Sequence, residues 1–217
     1  MEAPAVTRWW WLRHAPAAAP AAMILGRGDV AADLAADAAA LDAVARLLPS
    51  DAAWQTTTLR RARETAAALR ARIAGVPPAA TVAAFDEQDF GAWTARTHGE
   101  IGAREAAVAE AFWRAPATAT PPGGESFAAM IGRVGPAIAS LCAAHAGRDV
   151  VVVAHAGTVR AALAVALDLA PERAIGLVVD PLSLTRLDHV ATADPADRWG
   201  GPTGVWRVVR ANVRAVS

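Results

Sequence analysis

Residues 149–160 read DVVVVAHAGTVR. Five apolar residues in six, mostly β-branched, suit a strand buried on both faces, as in the middle of a parallel sheet. The run stops at His155-Ala156-Gly157, and apolar residues then recur at helical spacing over Val159–Leu167. Strand, short polar break and helix is the opening half of a βαβ unit. The same arrangement recurs upstream. VTRWWWLR, Val6–Arg13, is too short for a helix, is rich in strand formers, and ends at His14-Ala15-Pro16. Ala52–Thr56 predicts a third strand, followed by a helix over Leu59–Ala74 with Ala62, Ala66, Leu69 and Ile73 along its inner stripe.

The remaining elements fill out the pattern. Asp33–Leu48 predicts a helix capped by Asp33, with Leu34, Ala38, Leu41, Ala45 and Leu48 on one face and Pro49 closing it. A strand is expected near Thr81–Ala84. Residues 85–124 differ in character and read as an excursion over one edge of the core. They hold Trp93, Trp113, a helix over Glu100–Arg114 with Ile101, Val108 and Phe112 on a face, and the Pro/Gly-rich end TATPPGG. Ser126–His145 predicts a long helix kinked by Pro136. Strands over Gly176–Val190 and Val205–Val213, joined by a polar Pro/Gly loop, complete the chain. Alternating strands and helices imply an α/β fold: a three-layer α/β/α sandwich around a mainly parallel sheet, one domain over 1–217 with a small helical cap at 85–124.

Composition narrows the chemistry. The 217 residues include 59 alanines, no lysine and one cysteine, and 21 arginines balance 21 acidic residues. Without an ε-amine there is no Schiff base, pyridoxal-phosphate anchor or Walker-type phosphate loop. Cys142 alone makes neither an internal disulfide nor a zinc–thiolate cage. Zero net charge without a basic run argues against nucleic acid as partner. No apolar stretch is read as long enough to span a bilayer, and no secretory signal is read, so no membrane is expected and a cytoplasmic location is the default. No cofactor is called for, and oligomeric state is left open.

In open α/β sheets ligands sit beyond the carboxyl ends of the strands. His14 and His155 lie there, each followed by small residues that let backbone amides approach a ligand. The amides opening the helix after His155, Ala156 among them, make an anion seat. Arg13 precedes His14. The strand Ala52–Thr56 delivers Thr57 and Thr58 to a helix carrying Arg60, Arg61 and Arg63 in its first turns, where cations oppose the helix dipole unless an anion receives them. Arginine's fork suits phosphate oxygens. A metal is the other use of two histidines, but the neighbours here are arginines, which repel cations. Most arginines of the 59–74 helix, namely Arg60, Arg63, Arg70 and Arg72, suit a solvated face.

WLRHAP, TTLRRARETA, DEQDFGAW, PPGGESF and VVVAHAGTVR, in that order from residue 6 to residue 160, resemble the successive motifs of the histidine phosphatase (phosphoglycerate-mutase-like) superfamily. The resemblance implies His14 as nucleophile, Arg13 and Arg61 as phosphate-binding arginines, Glu87 as proton donor and His155 as second core histidine. Spacing alone does not separate Glu87 from Asp86 and Asp89; the motif match does. His14 is followed by Ala15-Pro16 and alanines, where the broad family pattern has a glycine and later polar residues. That departure favours a phosphatase over a mutase-type phosphotransferase. A non-catalytic phospholigand-binding protein is the reading from outside the enzyme class. Within the superfamily, RHAP, Leu25–Val30, EQDFGAW and PPGGESF look most like the alpha-ribazole phosphatases, which implies alpha-ribazole 5′-phosphate as the small phosphorylated metabolite. Arg27, Glu125 and Ser126 then become substrate-facing candidates, against a bland use as loop and helix-cap residues. Trp9, Trp10 and Trp11 read as strand core. Trp93 and Trp113 are candidates to flank an organic leaving group, with core packing as the competing use. His98 and His189 read as surface residues, His145 as part of a helix stripe and Cys142 as a small core residue.

Overall fold

The computed structural model describes residues 4–191 and 204–215. The chain runs β1 (Val6–Arg13), β2 (Met23–Ile24), α1 (Ala38–Ala45), β3 (Ala53–Thr56), α2 (Arg60–Arg70), β4 (Ala80–Thr81), β5 (Arg96–Thr97), α3 (His98–Arg114), α4 (Phe127–Ala144), β6 (Asp149–Ala154), α5 (Ala156–Leu167), α6 (Pro171–Ala174), β7 (Ser183–Val190) and β8 (Val205–Arg214). Six strands form one sheet in the order β4-β3-β6-β1-β7-β8. The pairs β4–β3, β3–β6 and β6–β1 are parallel, and β7 pairs antiparallel with both β1 and β8.

Alternation along the two central strands divides the core between the faces. Trp9, Trp11, Val150, Val152 and Ala154 pack with α4 and α5. Leu12, Val151 and Val153 point the other way and pack with Leu41 and Val44 of α1 and Ala62, Ala66 and Leu69 of α2. Helices on both faces of a mainly parallel sheet make the three-layer α/β/α sandwich that the sequence predicts. Trp9 and Trp11 stack with ring centres 5.4 Å apart, and Phe85 meets Trp11 edge-on at 5.1 Å. Trp10, on the opposite face, donates its Nε1–H to Asp149 at 2.7 Å.

The register of β1 on β6 pairs Arg13 with Ala154. His14 and His155 therefore leave the sheet side by side at adjacent strand ends. The amide of His14 donates to the Ala154 carbonyl at 2.9 Å, extending the ladder by one bond.

The 85–124 excursion has its own small core of Trp93, Ile101, Ala109 and Phe112, joined by Ile24 from the β2–β5 ribbon. Gly91 has φ +51°, and a Cβ there would lie 2.2 Å from the Pro122 carbonyl oxygen; one on Gly124 would lie 2.3 Å from that of Asp89. The glycines of DFGAW and PPGG thus let two loop segments cross at backbone contact.

Several boundaries differ from the sequence expectation for local reasons. The first helix starts at Ala38 rather than Asp33: the Asp33 carboxylate is spent in a turn on the amides of Ala35 and Ala36, and Asp37 caps by accepting from Ala40. Ala38 is accordingly exposed, and Ala40, Leu41, Val44 and Ala45 form the buried face. The strand expected at Thr81–Ala84 is only β4, followed by a 3-10 turn over Ala83–Phe85. The helix after His155 begins at Ala156, not Val159, because His155 is itself extended and ends the loop. Residues 176–182 are not strand; α6 precedes them, and β7 starts at Ser183. Val108 is 47% exposed, because α3 departs from helical geometry at Glu105, whose carboxylate receives Trp93 Nε1–H and Arg96. Pro136 is carried within one continuous helix. The polar loop expected before β8 lies largely at 192–203, outside the described residues.

α4 also corrects the expectation about apolar length. Its 18 residues have a mean hydropathy of 1.5, long and apolar enough to cross a membrane. Glycines and Pro136 disguise this in the sequence; Arg133 is its single charge. Its Phe127, Met130, Val134 and Ile138 stripe packs into the core under α5.

Candidate active site

His14 is 4% exposed. Its Nδ1 lies 2.5 Å from the Ala15 carbonyl oxygen, and a carbonyl only accepts, so Nδ1 carries the proton. Nε2 is then an unprotonated lone pair, and Arg61 donates Nε–H to it at 3.1 Å. The loop after His14 is pinned by Thr65 of α2, whose Oγ1 accepts from the Ala15 amide at 3.0 Å while donating to the Arg61 carbonyl at 2.7 Å. One helical turn thus positions both the imidazole and the guanidinium that faces it.

Arg61 is 1% exposed, whereas Arg60 and Arg63 on the same turn face solvent. Its terminal nitrogens donate to the carbonyls of Gly28 (2.7 Å) and Gly26 (2.8 Å), which fixes the guanidinium that bonds His14. Arg13 donates to the Val179 carbonyl at 2.6 Å, and its buried Nε has no hydrogen-bond partner among the described residues.

His155 is fully buried with its ring centre 5.1 Å from that of His14. Its Nε2 lies 2.9 Å from Thr57 Oγ1, which also accepts from the Leu59 amide. His155 Nδ1 is a buried polar atom without a partner among the described residues, and it carries the proton when the Thr57 hydroxyl donates to Nε2. An unmade buried hydrogen bond costs about 1–3 kcal/mol. Two such donors, Arg13 Nε and His155 Nδ1, at one centre fit an acceptor-rich guest.

Glu87 follows the 3-10 turn at Ala83–Phe85 and reaches the first turn of α5, where the Gly157 amide donates to Oε2 at 3.3 Å and Gln88 N–H donates to Oε1 at 2.9 Å. Its sequence rivals are occupied elsewhere. Asp86 takes the amide and hydroxyl of Thr58 at 2.8 and 2.6 Å, capping the approach to α2, and Asp89 takes the Gly91 amide in its own turn.

Of the other residues singled out in the sequence, Ser126 spends its hydroxyl capping α4 on the Ala129 amide. Glu125 accepts from Arg133, from the Asp89 amide and from Arg27. Arg27 also donates to the Glu87 carbonyl at 3.4 Å. These three therefore form the wall behind Glu87 rather than joining the histidines. The amide of Ala156 opens α5 beside His155. Trp93 is fully buried, Trp113 is 43% exposed, and His189 is buried beside Trp206 rather than on the surface.

Two further arginines, which sequence reasoning does not single out, frame the site. Arg133 binds the carbonyls of Ala84, Asp86 and Glu87 as well as Glu125, gripping the loop that carries Glu87. The available signal was a lone charge in an otherwise apolar helix. Arg160 is three residues after Gly157, hence on the same face of α5, and lines the cavity that Glu87 enters. A larger apolar cavity of about 340 Å³ opens by Thr7 and His189, at the opposite end of β1 from His14. It carries none of this chemistry.

Burial, then Arg61 and Arg13, push the His14 pKa down to about 3, against the opposing bond to Ala15. Burial, then His14 and the arginines, lower His155 as well. Both imidazoles are neutral at physiological pH. The sign of the stability effect follows. Below about pH 6.5 the unfolded chain takes up protons that these sites refuse, so stability falls as pH drops, and His14 keeps contributing to the fall until about pH 3. Each such group costs about 1.4 kcal/mol per pH unit. Urea unfolding at pH 6 and pH 5 checks it: His14→Ala loses about 1 kcal/mol less than wild type between the two. Equal losses in both proteins would mean that His14 is not depressed.

The family model of the histidine phosphatase superfamily, branch 1, matches residues 9–200. The bifunctional protein Rv2228c of Mycobacterium tuberculosis is 31% identical over 118 residues, which is 54% of this chain but only 32% of that protein. The mycobacterial glucosyl-3-phosphoglycerate phosphatase Rv2419c superposes with a TM-score of 0.80 at 27% identity, covering 98% of this chain and 100% of that one. The alpha-ribazole phosphatase from Shigella flexneri shares the fold, with a TM-score of 0.77 at 20% identity over 97% of this chain and 99% of the other.

Proposed function

The chain belongs to the histidine phosphatase superfamily, and we propose that it is a cytoplasmic phosphomonoesterase working through a phosphohistidine on His14. The observation that carries this is the Nε2 lone pair of a neutral, oriented imidazole set among Arg61, Arg13 and His155. Nε2 attacks phosphorus in line as the bond to the leaving oxygen breaks, giving a phosphohistidine. Arg13, Arg61, the Nδ1–H of His155 and the Ala156 amide hold the phosphoryl oxygens while charge redistributes. Glu87, protonated, gives its proton to the leaving oxygen. As carboxylate it then takes one from water, whose oxygen attacks phosphorus and releases His14 and phosphate. Residues 85–124 act as the cap of a single phosphatase domain spanning 1–217.

The sequence motifs favour alpha-ribazole 5′-phosphate as substrate. The likeness to Rv2419c gives glucosyl-3-phosphoglycerate as a second candidate. Hydrolysis of p-nitrophenyl phosphate in EDTA, followed by both esters side by side, is the test. Turnover that persists in chelator supports the reading. Phosphate binding without turnover of any ester would make the chain a binding protein instead, and activity that requires added divalent metal would overturn the mechanism.

Gly157 gives a local check. A Cβ there would lie 2.1 Å from Glu87 Oε1 and 3.2 Å from Met130 Sδ. The carboxylate is a movable side-chain end, and alanine suits a helix better than glycine by roughly 0.5–1 kcal/mol. Gly157→Ala is therefore expected to keep or raise Tm while lowering kcat about 10²-fold through the displaced carboxylate. Unchanged kcat at unchanged Tm would remove Glu87 from the mechanism.

A further inference from the structure

We infer that Asn212 is a positioning residue for Arg13, acting through the peptide group between Val179 and Asp180; the inference rests on the reading of Arg13 as a phosphate ligand. The Asn212 side-chain oxygen accepts from the Asp180 amide at 2.7 Å. Arg13 donates to the Val179 carbonyl at 2.6 Å. That N–H and that C=O belong to one peptide unit, which is trans and planar, so they point in opposite directions and turn together. Holding the amide on Asn212 therefore aims the carbonyl at Arg13.

Arg13 depends on that carbonyl. It is the one hydrogen-bond partner of the Arg13 guanidinium among the described residues, whereas Arg61 has two carbonyls besides His14. With a single acceptor, the direction of that acceptor sets where the fork points. The buried Nε left without a partner is the donor offered to phosphate. The same stretch of chain does more for this side of the site. The Leu182 amide donates to the Arg13 carbonyl at 3.1 Å, and the Leu177 carbonyl accepts from Arg160 at 2.7 Å.

β8 is shaped to deliver the asparagine. Leu184 pairs with Val213 and Arg186 with Arg210, so Ala211 and Asn212 together face Thr185, a β-bulge. Asn212 has φ +51°, in the left-handed region that asparagine tolerates better than most residues. Its amide donates to Thr185 Oγ1 at 3.1 Å, and its Nδ2 donates to the Asp180 carboxylate at 2.9 Å. Flipping the side-chain amide would set oxygen against carboxylate, so the chemistry fixes its orientation.

Asn212→Gly removes the side chain but keeps a residue that takes positive φ freely, so the bulge persists. It is expected to weaken inorganic phosphate binding about tenfold by calorimetry, and to lower kcat/KM for p-nitrophenyl phosphate by a similar factor. In an Arg13→Ala background the same substitution should change phosphate affinity by less than about twofold, because the residue it acts through is gone. A merely structural role would weaken binding equally in both backgrounds. Asn212→Asp sets a carboxylate against that of Asp180 and should be at least as damaging. Adding Asp180→Asn to it restores both hydrogen bonds with the roles exchanged, and should return affinity to within about threefold of wild type. Unchanged affinity in Asn212→Gly, equal losses with and without Arg13, or no rescue by the exchange would overturn the inference. The expected pattern of phosphate affinities supports it even if no ester is hydrolysed, an outcome that would sink the phosphatase reading alone. Rapid hydrolysis with affinity unmoved by Asn212→Gly would overturn the positioning role and leave that reading intact.

Discussion

His14→Ala is expected to leave a folded protein that binds inorganic phosphate and turns over phosphomonoesters at least about 10⁴-fold more slowly than wild type. The size of the effect follows from what the substitution removes and what it keeps. It deletes the Nε2 lone pair, which the Nδ1–H bond to Ala15 and burial keep unprotonated and aimed at Arg61. Arg61 retains its two bonds to the Gly26 and Gly28 carbonyls, and Arg13 keeps its bond to Val179, so the cationic seat survives. Phosphate affinity should therefore change by less than about tenfold while kcat collapses. Steady-state kinetics and phosphate calorimetry on the same preparation check both halves. Wild-type kcat in the variant would place the nucleophile elsewhere.

Glu87→Gln should split the two half-reactions. The amide keeps the size of the carboxylate, and its oxygen can still accept from Gly157, but it neither gives nor takes the catalytic proton. Alkyl phosphates, whose leaving oxygen needs protonation, should lose about 10²–10⁴-fold in kcat/KM. p-Nitrophenyl phosphate has a good leaving group and should still phosphorylate His14 readily. The slow step then becomes attack of unactivated water, so stopped-flow traces should show a burst of one nitrophenolate per site followed by slow turnover. Equal losses for alkyl and aryl esters, with no burst, would argue that Glu87 is not the proton donor.

Much of this site was legible because its parts sit at strand ends. The apolar run of DVVVVA and the abrupt stop of VTRWWWLR at His14 place two histidines at the same edge of a parallel sheet, and the Arg13–Ala154 register makes them neighbours. The resemblance selects Arg61 over Arg60 as the arginine that precedes the alanine in Leu59-Arg60-Arg61-Ala62, and burial gives the physical reason: α2 turns one inward and the other to solvent. Glu87 could not be told from Asp86 and Asp89 by spacing, since three carboxylates in four residues differ only in where the irregular chain turns them. Asp86 is drawn to Thr58, a contact that spans 28 residues and leaves no local signature.

The cap was the least readable part. Its core needs Ile24 from a two-residue strand far upstream, and its loops cross at Gly91 and Gly124. Short strands and long-range backbone contacts carry little periodicity. Arg133 is a lone charge in the otherwise apolar helix α4, and nothing in the sequence shows that it holds the carbonyls on either side of the Asp86–Glu87 bond. His189, polar in context, is buried because β7 pairs on both sides, with β1 and β8. The first helix starts at Ala38 rather than Asp33 because either Asp33 or Asp37 suits a cap, and Asp33 is held in a turn instead.

The central claim is that phosphorus is bonded to His14 during turnover. Rapid quench of Glu87→Gln mixed with p-nitrophenyl phosphate, followed by peptide mapping under alkaline conditions that preserve phosphoramidates, measures it directly. The account predicts close to one phosphoryl group per chain, on the peptide containing His14, formed at the rate of the nitrophenolate burst. A label on another residue, or nitrophenolate released with no phosphoryl group on the protein, would contradict it.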